Sequence, residues 1–389
     1  MAKFSSRRTE VTLVVVFLAT LILSLLLKLP CARHAWGGFE YHSWCYNDIM
    51  ALYGLRHFDQ HAFPYLTTNL EYPVGIGLLA GLAGWLAQNL SSFFGLTSIV
   101  LIFSGLVSLW CLKELSSEPS RLIRFVVAPT LILYAFLNWD LVPVALLLLG
   151  LVAYQRQRDG WAGFWLGLGA ATKVFPGLLV PGLLVDRYLR KRYFSWSLLF
   201  GAVVGFVGLN LPIVLTNPSG WWYPWQFQAN RFPNFETIWF IIYHQFGKAE
   251  ASSFWWTIYP RLTSSLSLGL FGVGLSCLLV AEWRARRVRP WVVAFITLVI
   301  FLLTAKIFSP QYLLWLLPFF VLLPFSNRQF LAFEVVDLAT WAAIAHYLPW
   351  ANSLQGTPAL ALLELAVVVR YGMLVWLGLV AYCFPIEGV

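Results

Sequence analysis

"MAKFSSRRTEVTLVVVFLATLILSLLLKLP" (residues 1–30) sets a basic start against an apolar run over 11–29. Two readings compete for it: a secretion signal that is cut away, or a first membrane span. A signal has a short apolar region and a small-x-small cleavage site. This run is too long for the first, and no such site precedes Pro30. We therefore expect a span, with the N-terminus inside. The rest of the chain agrees: of 389 residues 60% are hydrophobic and only 11% charged, with a mean hydropathy of +0.73. Soluble domains carry about 25% charged residues, so a single all-α polytopic membrane domain is expected over residues 1–389. The formal charge of +9 does not point to nucleic acid. Its Lys and Arg fall in short runs between apolar segments, the pattern that sets membrane orientation.

Working outward, apolar segments fall near 72–90, 93–112, 122–137, 141–154, 161–172, 174–185, 194–215, 262–281, 291–305, 313–325, 330–347 and 358–383. With 11–29 they suggest about 11–13 spans. The basic or polar loops "QRQRDG" (155–160), "DRYLRKRY" (186–193), "EWRARRVRP" (282–290) and "NRQ" (327–329) belong inside. Alternation then puts "NWD" (138–140), "TKVFP" (172–176), the aromatic loop 216–260 and "AKIFSPQY" (305–312) outside, together with the first loop, 30–71. One conflict arises. Regular spans at both 72–90 and 93–112 would put "KELSSEPSRLIR" (113–124) outside and flip every later loop. The segment 72–90, with Pro73, Gly75, Gly77, Gly81 and Gly84, is expected to be the irregular one. Segments 161–172 and 174–185 are also short: twelve helical residues reach ~18 Å against a hydrocarbon core of ~30 Å. Their turn at Lys173 and Pro176 is expected within the membrane's thickness, in a cavity open to the outside.

Seven ionisable residues then share the outer side: Asp48, Glu71, Asp140, Lys173, Arg231, Glu236 and Lys306. Each also has a plain structural reading. In "CYNDIMALY" (45–53) an interfacial helix is expected, with either Asn47 or Asp48 as its N-cap and Asp48 alternatively a general base. Glu71 and Tyr72 sit where Pro73 starts a helix. Asn138 and Asp140 suit a tight turn or a polar, aromatic edge for a sugar. Lys173 and Lys306 share a pattern of Lys, a β-branched residue, Phe and Pro. They either snorkel to the interface or converge on an anion, with Gln311 and Tyr312 beside the second. In "PSGWWYPWQFQANRFPNFETIW" (218–239) the Trp residues form an interfacial belt or stack on sugars, Trp222 among them, with Arg231 ready for a phosphate.

Of five cysteines, Cys111, Cys277 and Cys383 lie in apolar segments and read as inert core residues. Cys31 and Cys45 share the first outer loop, where oxidation is possible; the sequence leaves open whether they are bonded. "HFDQH" (57–61) offers His57 and His61, too few ligands for a metal site, so no metal is expected. No phosphate loop, nucleophile elbow or His-Glu-x-x-His is present, and no cofactor is expected. The inner loops are too short for a nucleotide domain, so an activated donor must come from the lipid phase or the outer face.

"CYNDIMALYGLRHF" (45–58), "EYPVG" (71–75), "LNWDLVPVALLLLGLVAY" (137–154), "GLGAATKVFPGLLVPGLL" (167–184) and "AKIFSPQYLLWLLP" (305–318) together resemble bacterial members of glycosyltransferase family 87 over approximately 31–325. The resemblance implies a GT-C-type bundle in the plasma membrane with its active site on the extracytoplasmic face. It implies a polyprenyl-phosphate sugar as donor, mannose first, a lipid-linked or cell-envelope glycan as acceptor, and inversion at the anomeric carbon. Asp48 matches the family's acid in the first outer loop, the implied base. Lys173, Lys306 and Arg231 are the cations we expect at the donor phosphate, and Glu71, Tyr72, Asn138, Asp140, Gln311, Tyr312 and Trp222 the expected substrate contacts. Asn47 departs from the residue many relatives carry there. Residues beyond 325 add little to the resemblance. A lipid or solute transporter is the competing class, since broken helices and intramembrane charge also mark transport sites. Such proteins should show internal repeats, and none is visible here.

Overall fold

The computed structural model describes residues 7–34, 39–116, 118–247, 254–286, 289–350 and 358–384; parts of four expected loops, 35–38, 117, 248–253 and 287–288, lie outside them. Among the described residues the chain is all helix and turn, with one isolated bridge, Pro64–Thr68, and no strand. Six helices are long and apolar enough to cross a membrane: Arg8–Arg33, Leu90–Leu115, Trp196–Thr216, Phe254–Arg284, Asn327–Tyr347 and Pro358–Tyr382. Shorter apolar helices at Val74–Leu86, Leu141–Gln155 and Pro290–Thr304 fill the spaces between them. This is a multi-pass membrane chain.

The segment expected to be irregular is a regular helix, Val74–Leu86, but its 13 residues reach only ~20 Å. Its glycines serve close packing rather than disorder. A methyl group on Gly77 would overlap the Tyr65 ring, one on Gly81 would press on Pro64, and one on Gly75 would overlap Thr172. The helix is therefore laid against the first loop and against the end of helix Asp159–Thr172. The chain breaks at Lys173 as expected, but Lys173 is buried and does not line an open cavity. Helix Asp159–Thr172 stops there, a 3-10 turn runs over Phe175–Leu179, and helix Val180–Lys191 follows.

The most extensive helix pairing joins Asp159–Thr172 to Trp196–Thr216. Methyl groups at Gly163, Gly167, Gly201 or Gly205 would run into the backbone of the opposing helix. With side chains removed at these four points, backbone meets backbone, as small-residue seams do between helices in lipid.

The first outer loop is tied down at its start. Cys31 and Cys45 form a disulfide with a Cα–Cα distance of 5.6 Å, which settles what the sequence left open. Lys28, fully buried near the end of the first helix, reaches the Trp44 carbonyl at 3.4 Å and lies 5.3 Å from the Trp341 ring. Of the cysteines read as core residues, Cys111 is buried, but Cys277 and Cys383 are exposed.

Candidate active site

The decisive local structure is the start of helix Asp48–Leu55. Asn47, not Asp48, is its N-cap: the Asn47 side chain accepts from the Met50 N–H at 2.9 Å and its amide donates to the Phe136 carbonyl. The Asp48 N–H donates to the Leu137 carbonyl at 2.9 Å. These bonds stitch the first loop onto the Leu137–Asp140 turn and leave the Asp48 carboxylate free of capping duty. Ile49, Met50 and Leu52 are buried in the core, whereas Asp48 is half-buried.

It points into a cavity of about 320 Å³, lined among others by Tyr41, Tyr46, Glu71, Tyr72, Asn138, Gln228, Arg231, Asn234, Glu236, Gln311 and Tyr312. Tyr46 donates to Asp48 Oδ1 at 2.8 Å, while Asn138 and Gln311 donate to Oδ2 at 2.9 and 3.2 Å. The Asn138 amide also donates to the Tyr72 hydroxyl at 2.7 Å. Burial pushes the Asp48 carboxyl above the ordinary carboxylate range, against the pull of the Tyr46 and Asn138 hydrogen bonds and the charge on Lys173. A raised carboxylate in a polar cavity is suited to taking a proton near neutral pH.

Of the three cations expected at a donor phosphate, Arg231 lines this cavity. Its guanidinium donates to Asn234 Oδ1 at 2.8 Å and lies 5.6 Å from the Phe227 ring. The two lysines are committed elsewhere and are absent from the lining. Lys173 Nζ is 2.6 Å from Asp140 Oδ1, where the Trp315 indole N–H also donates at 2.7 Å. Its ammonium lies 4.9 Å from the Tyr312 ring and 5.9 Å from the Tyr72 ring, so it backs the two tyrosines that form the wall. Lys306 Nζ donates to the carbonyls of Ala229, Arg231 and Pro260 at 3.1, 2.8 and 2.8 Å. Its three N–H groups are thereby used, and its role is to clamp the Arg231 loop. Both lysines stand behind the cavity's lining rather than in it, where they were expected.

Among the expected substrate contacts, Glu71, Tyr72, Asn138, Gln311 and Tyr312 line the cavity, whereas Asp140 and Trp222 do not. Asp140 is fully buried as the partner of Lys173, and Trp222 is 54% exposed on the outer side of its helix. Glu71 pairs with Arg56 at 2.8 Å, which accounts for a cation in the first loop. Much of the aromatic loop is helix, Pro218–Asn230. It docks on the first loop through Asn217 to the Tyr65 carbonyl at 2.7 Å and Gln228 to the Glu71 carbonyl at 3.2 Å. His57 and His61 flank a single 3-10 turn, and His61 Nδ1 contacts the Gly84 carbonyl at 3.1 Å.

Sequence reasoning missed Tyr46, although it stands two residues before Asp48. It missed Asn234, although Arg231 and Glu236 flank it. Trp341, Ile344 and Leu348 also line the cavity, so the region beyond 325 builds part of the wall. No local pattern announces those three; only the packing of helix Asn327–Tyr347 brings them in.

The model of glycosyltransferase family 87 matches residues 69–310. The chain belongs to that family. It is a glycosyltransferase, and the match agrees with the motif resemblance. Asp48 precedes the matched region and residues after 310 follow it, so both rest on the geometry above. A search of curated proteins finds no match. Among solved structures, ArnT from Cupriavidus metallidurans bound to undecaprenyl phosphate is similar, with a TM-score of 0.48 and 14% identity over 97% of this chain and 78% of that one.

Proposed function

We propose that this family 87 glycosyltransferase moves a hexosyl group, mannose first, from a polyprenyl-phosphate donor to a hydroxyl of a lipid-linked or cell-envelope glycan. The reaction takes place on the extracytoplasmic face of a bacterial plasma membrane. The observation that carries this reading is the presence, in the lining of one cavity, of a carboxylate and a guanidinium: Asp48 and Arg231.

In this reaction Asp48 accepts the proton of the acceptor hydroxyl as its oxygen forms a bond to C1 of the donor sugar. The bond from C1 to the phosphate oxygen breaks, and polyprenyl phosphate leaves with the electron pair. Attack from the side opposite the leaving group inverts C1. Arg231 meets the charge that grows on the departing phosphate, the point at which a fixed donor lowers the barrier most. Asn138, Gln311 and Tyr46 hold the carboxylate in one orientation, which pre-arranges the proton transfer. Lys173 and Lys306 act from behind, the first by supporting the Tyr72 and Tyr312 wall, the second by fixing the Arg231 loop.

The test is transfer by purified protein from labelled polyprenyl-phosphate mannose, glucose and arabinose to a cell-envelope lipid extract. A labelled product that appears with wild type and not with Asp48→Asn supports the reading. Movement of the intact donor across vesicles with no new glycosidic bond would replace it with the transporter reading.

A further inference from the structure

Glu236 is the cavity's second buried acid, and the reaction above does not use it. It is 4% exposed, yet it lines the same space as Asp48 and Arg231. Its backbone is held on both sides. The carbonyl accepts from the buried Arg370 guanidinium at 2.5 Å, and the next residue, Thr237, caps helix Ile238–Ile242. Its Oε2 accepts from the Asn234 amide at 3.0 Å, and the oxygen of that same amide accepts from Arg231 at 2.8 Å. One asparagine therefore fixes the acid beside the cation. Among the described residues Glu236 Oε1 has no hydrogen-bond partner, and the residue lines the cavity. A carboxylate oxygen at a cavity wall is an acceptor that a hydroxyl of a bound ligand can satisfy.

We propose that Glu236 Oε1 accepts a hydrogen bond from a ring hydroxyl of the hexosyl group being transferred, and so selects the donor sugar. The assignment rests on the donor reading above. In a sugar phosphate the ring hydroxyls lie within a few bonds of the phosphorus. An acid bridged to the phosphate-binding arginine through one amide is at that range. Asp48, held by Tyr46, Asn138 and Gln311, serves the incoming hydroxyl instead. Burial pushes the Glu236 carboxyl up to about 7, opposed by Arg370, the Asn234 hydrogen bond and Arg231. Either charge state leaves an oxygen able to accept from a hydroxyl.

The experiment compares kcat/KM for polyprenyl-phosphate mannose and each of its monodeoxy analogues, using full-length wild type, Glu236→Leu and Glu236→Gln. Wild type should disfavour one analogue by about tenfold to a hundredfold, the size of a hydrogen bond to a charged group. Glu236→Leu should reduce that preference to near unity by slowing the parent sugar while leaving the analogue's rate in place. Glu236→Gln keeps the Asn234 contact and the volume, and should lower the preference several-fold with folding retained. An unchanged preference in both variants would overturn the assignment. So would loss of preference only towards deoxy acceptors, which would move Glu236 to the acceptor side. No transfer by wild type from any polyprenyl-phosphate sugar would instead remove the donor reading itself, a separate result from wild-type transfer that treats every analogue alike.

Discussion

Replacing Lys173 by Met tests whether that lysine is a ligand for substrate or a counter-charge for the fold. Asp140 is fully buried, and Lys173 Nζ and the Trp315 indole both address its Oδ1, while its Oδ2 has no partner. Removing the ammonium strands a carboxylate in the interior, at a cost of about 3–5 kcal/mol. Removing the carboxylate charge instead, by Asp140→Asn, keeps an acceptor for Trp315 and leaves the ammonium against the rings of Tyr72, Tyr312 and Trp315. Each such contact offsets about 0.5–2 kcal/mol, so this variant should be the milder. The double variant Lys173→Met/Asp140→Asn has no stranded charge and should recover most of the loss. The assay is the thermal unfolding midpoint in detergent, followed by transfer rates with donor concentration varied. The expected order is wild type, then the double variant and Asp140→Asn close together, then Lys173→Met clearly last. The reasoning fails if the double variant is no more stable than Lys173→Met. A double variant that is folded but inactive through a raised donor KM would return Lys173 to direct phosphate binding.

Asp48→Asn should lower transfer by about 100-fold to 10,000-fold with an unchanged unfolding midpoint, because Asn47 does the capping; matched circular dichroism and rate measurements check this. The wild-type rate should fall as pH drops, since protonation removes the base. Burial raises that carboxyl, so the inflection should lie above the usual value of about 4, and a pH–rate profile flat down to that value would contradict the assignment. Arg231→Gln should raise the donor KM about tenfold or more and leave the acceptor KM in place, as initial-rate kinetics with each substrate varied will show. Reducing the Cys31–Cys45 bond should cost roughly 3 kcal/mol for a loop of this length. The midpoint should drop with reductant in wild type and not in Cys31→Ser.

Much of this architecture was readable from the chain because lipid imposes strong rules. The apolar run 358–383 returns as helix Pro358–Tyr382, and the Pro176 break returns as a 3-10 turn. Roles within the site were less readable. Lys173 and Lys306 carry the right charge in the right neighbourhood, but which atom a lysine reaches depends on partners far away in sequence, Asp140 for one and the Ala229 and Pro260 carbonyls for the other. The glycines of 74–86 misled for a similar reason. Their low helix propensity is a local property, whereas their use against Tyr65, Pro64 and Thr172 is tertiary. Asn47 and Asp48 both suit a cap by type, and only the Phe136 and Leu137 carbonyls decide between them.

The backbone-to-backbone seam between Asp159–Thr172 and Trp196–Thr216 has a mechanical consequence. Two helices in such contact cannot part or slide without losing a long line of van der Waals contact, so they move as one stiff beam. Only 6% of the most apolar stretch of helix Phe254–Arg284 is buried, so most of that stretch faces away from the bundle. If the proposed lipid donor enters from the membrane, the stiff beam would hold its ground while the sparsely buried helix Phe254–Arg284 yields.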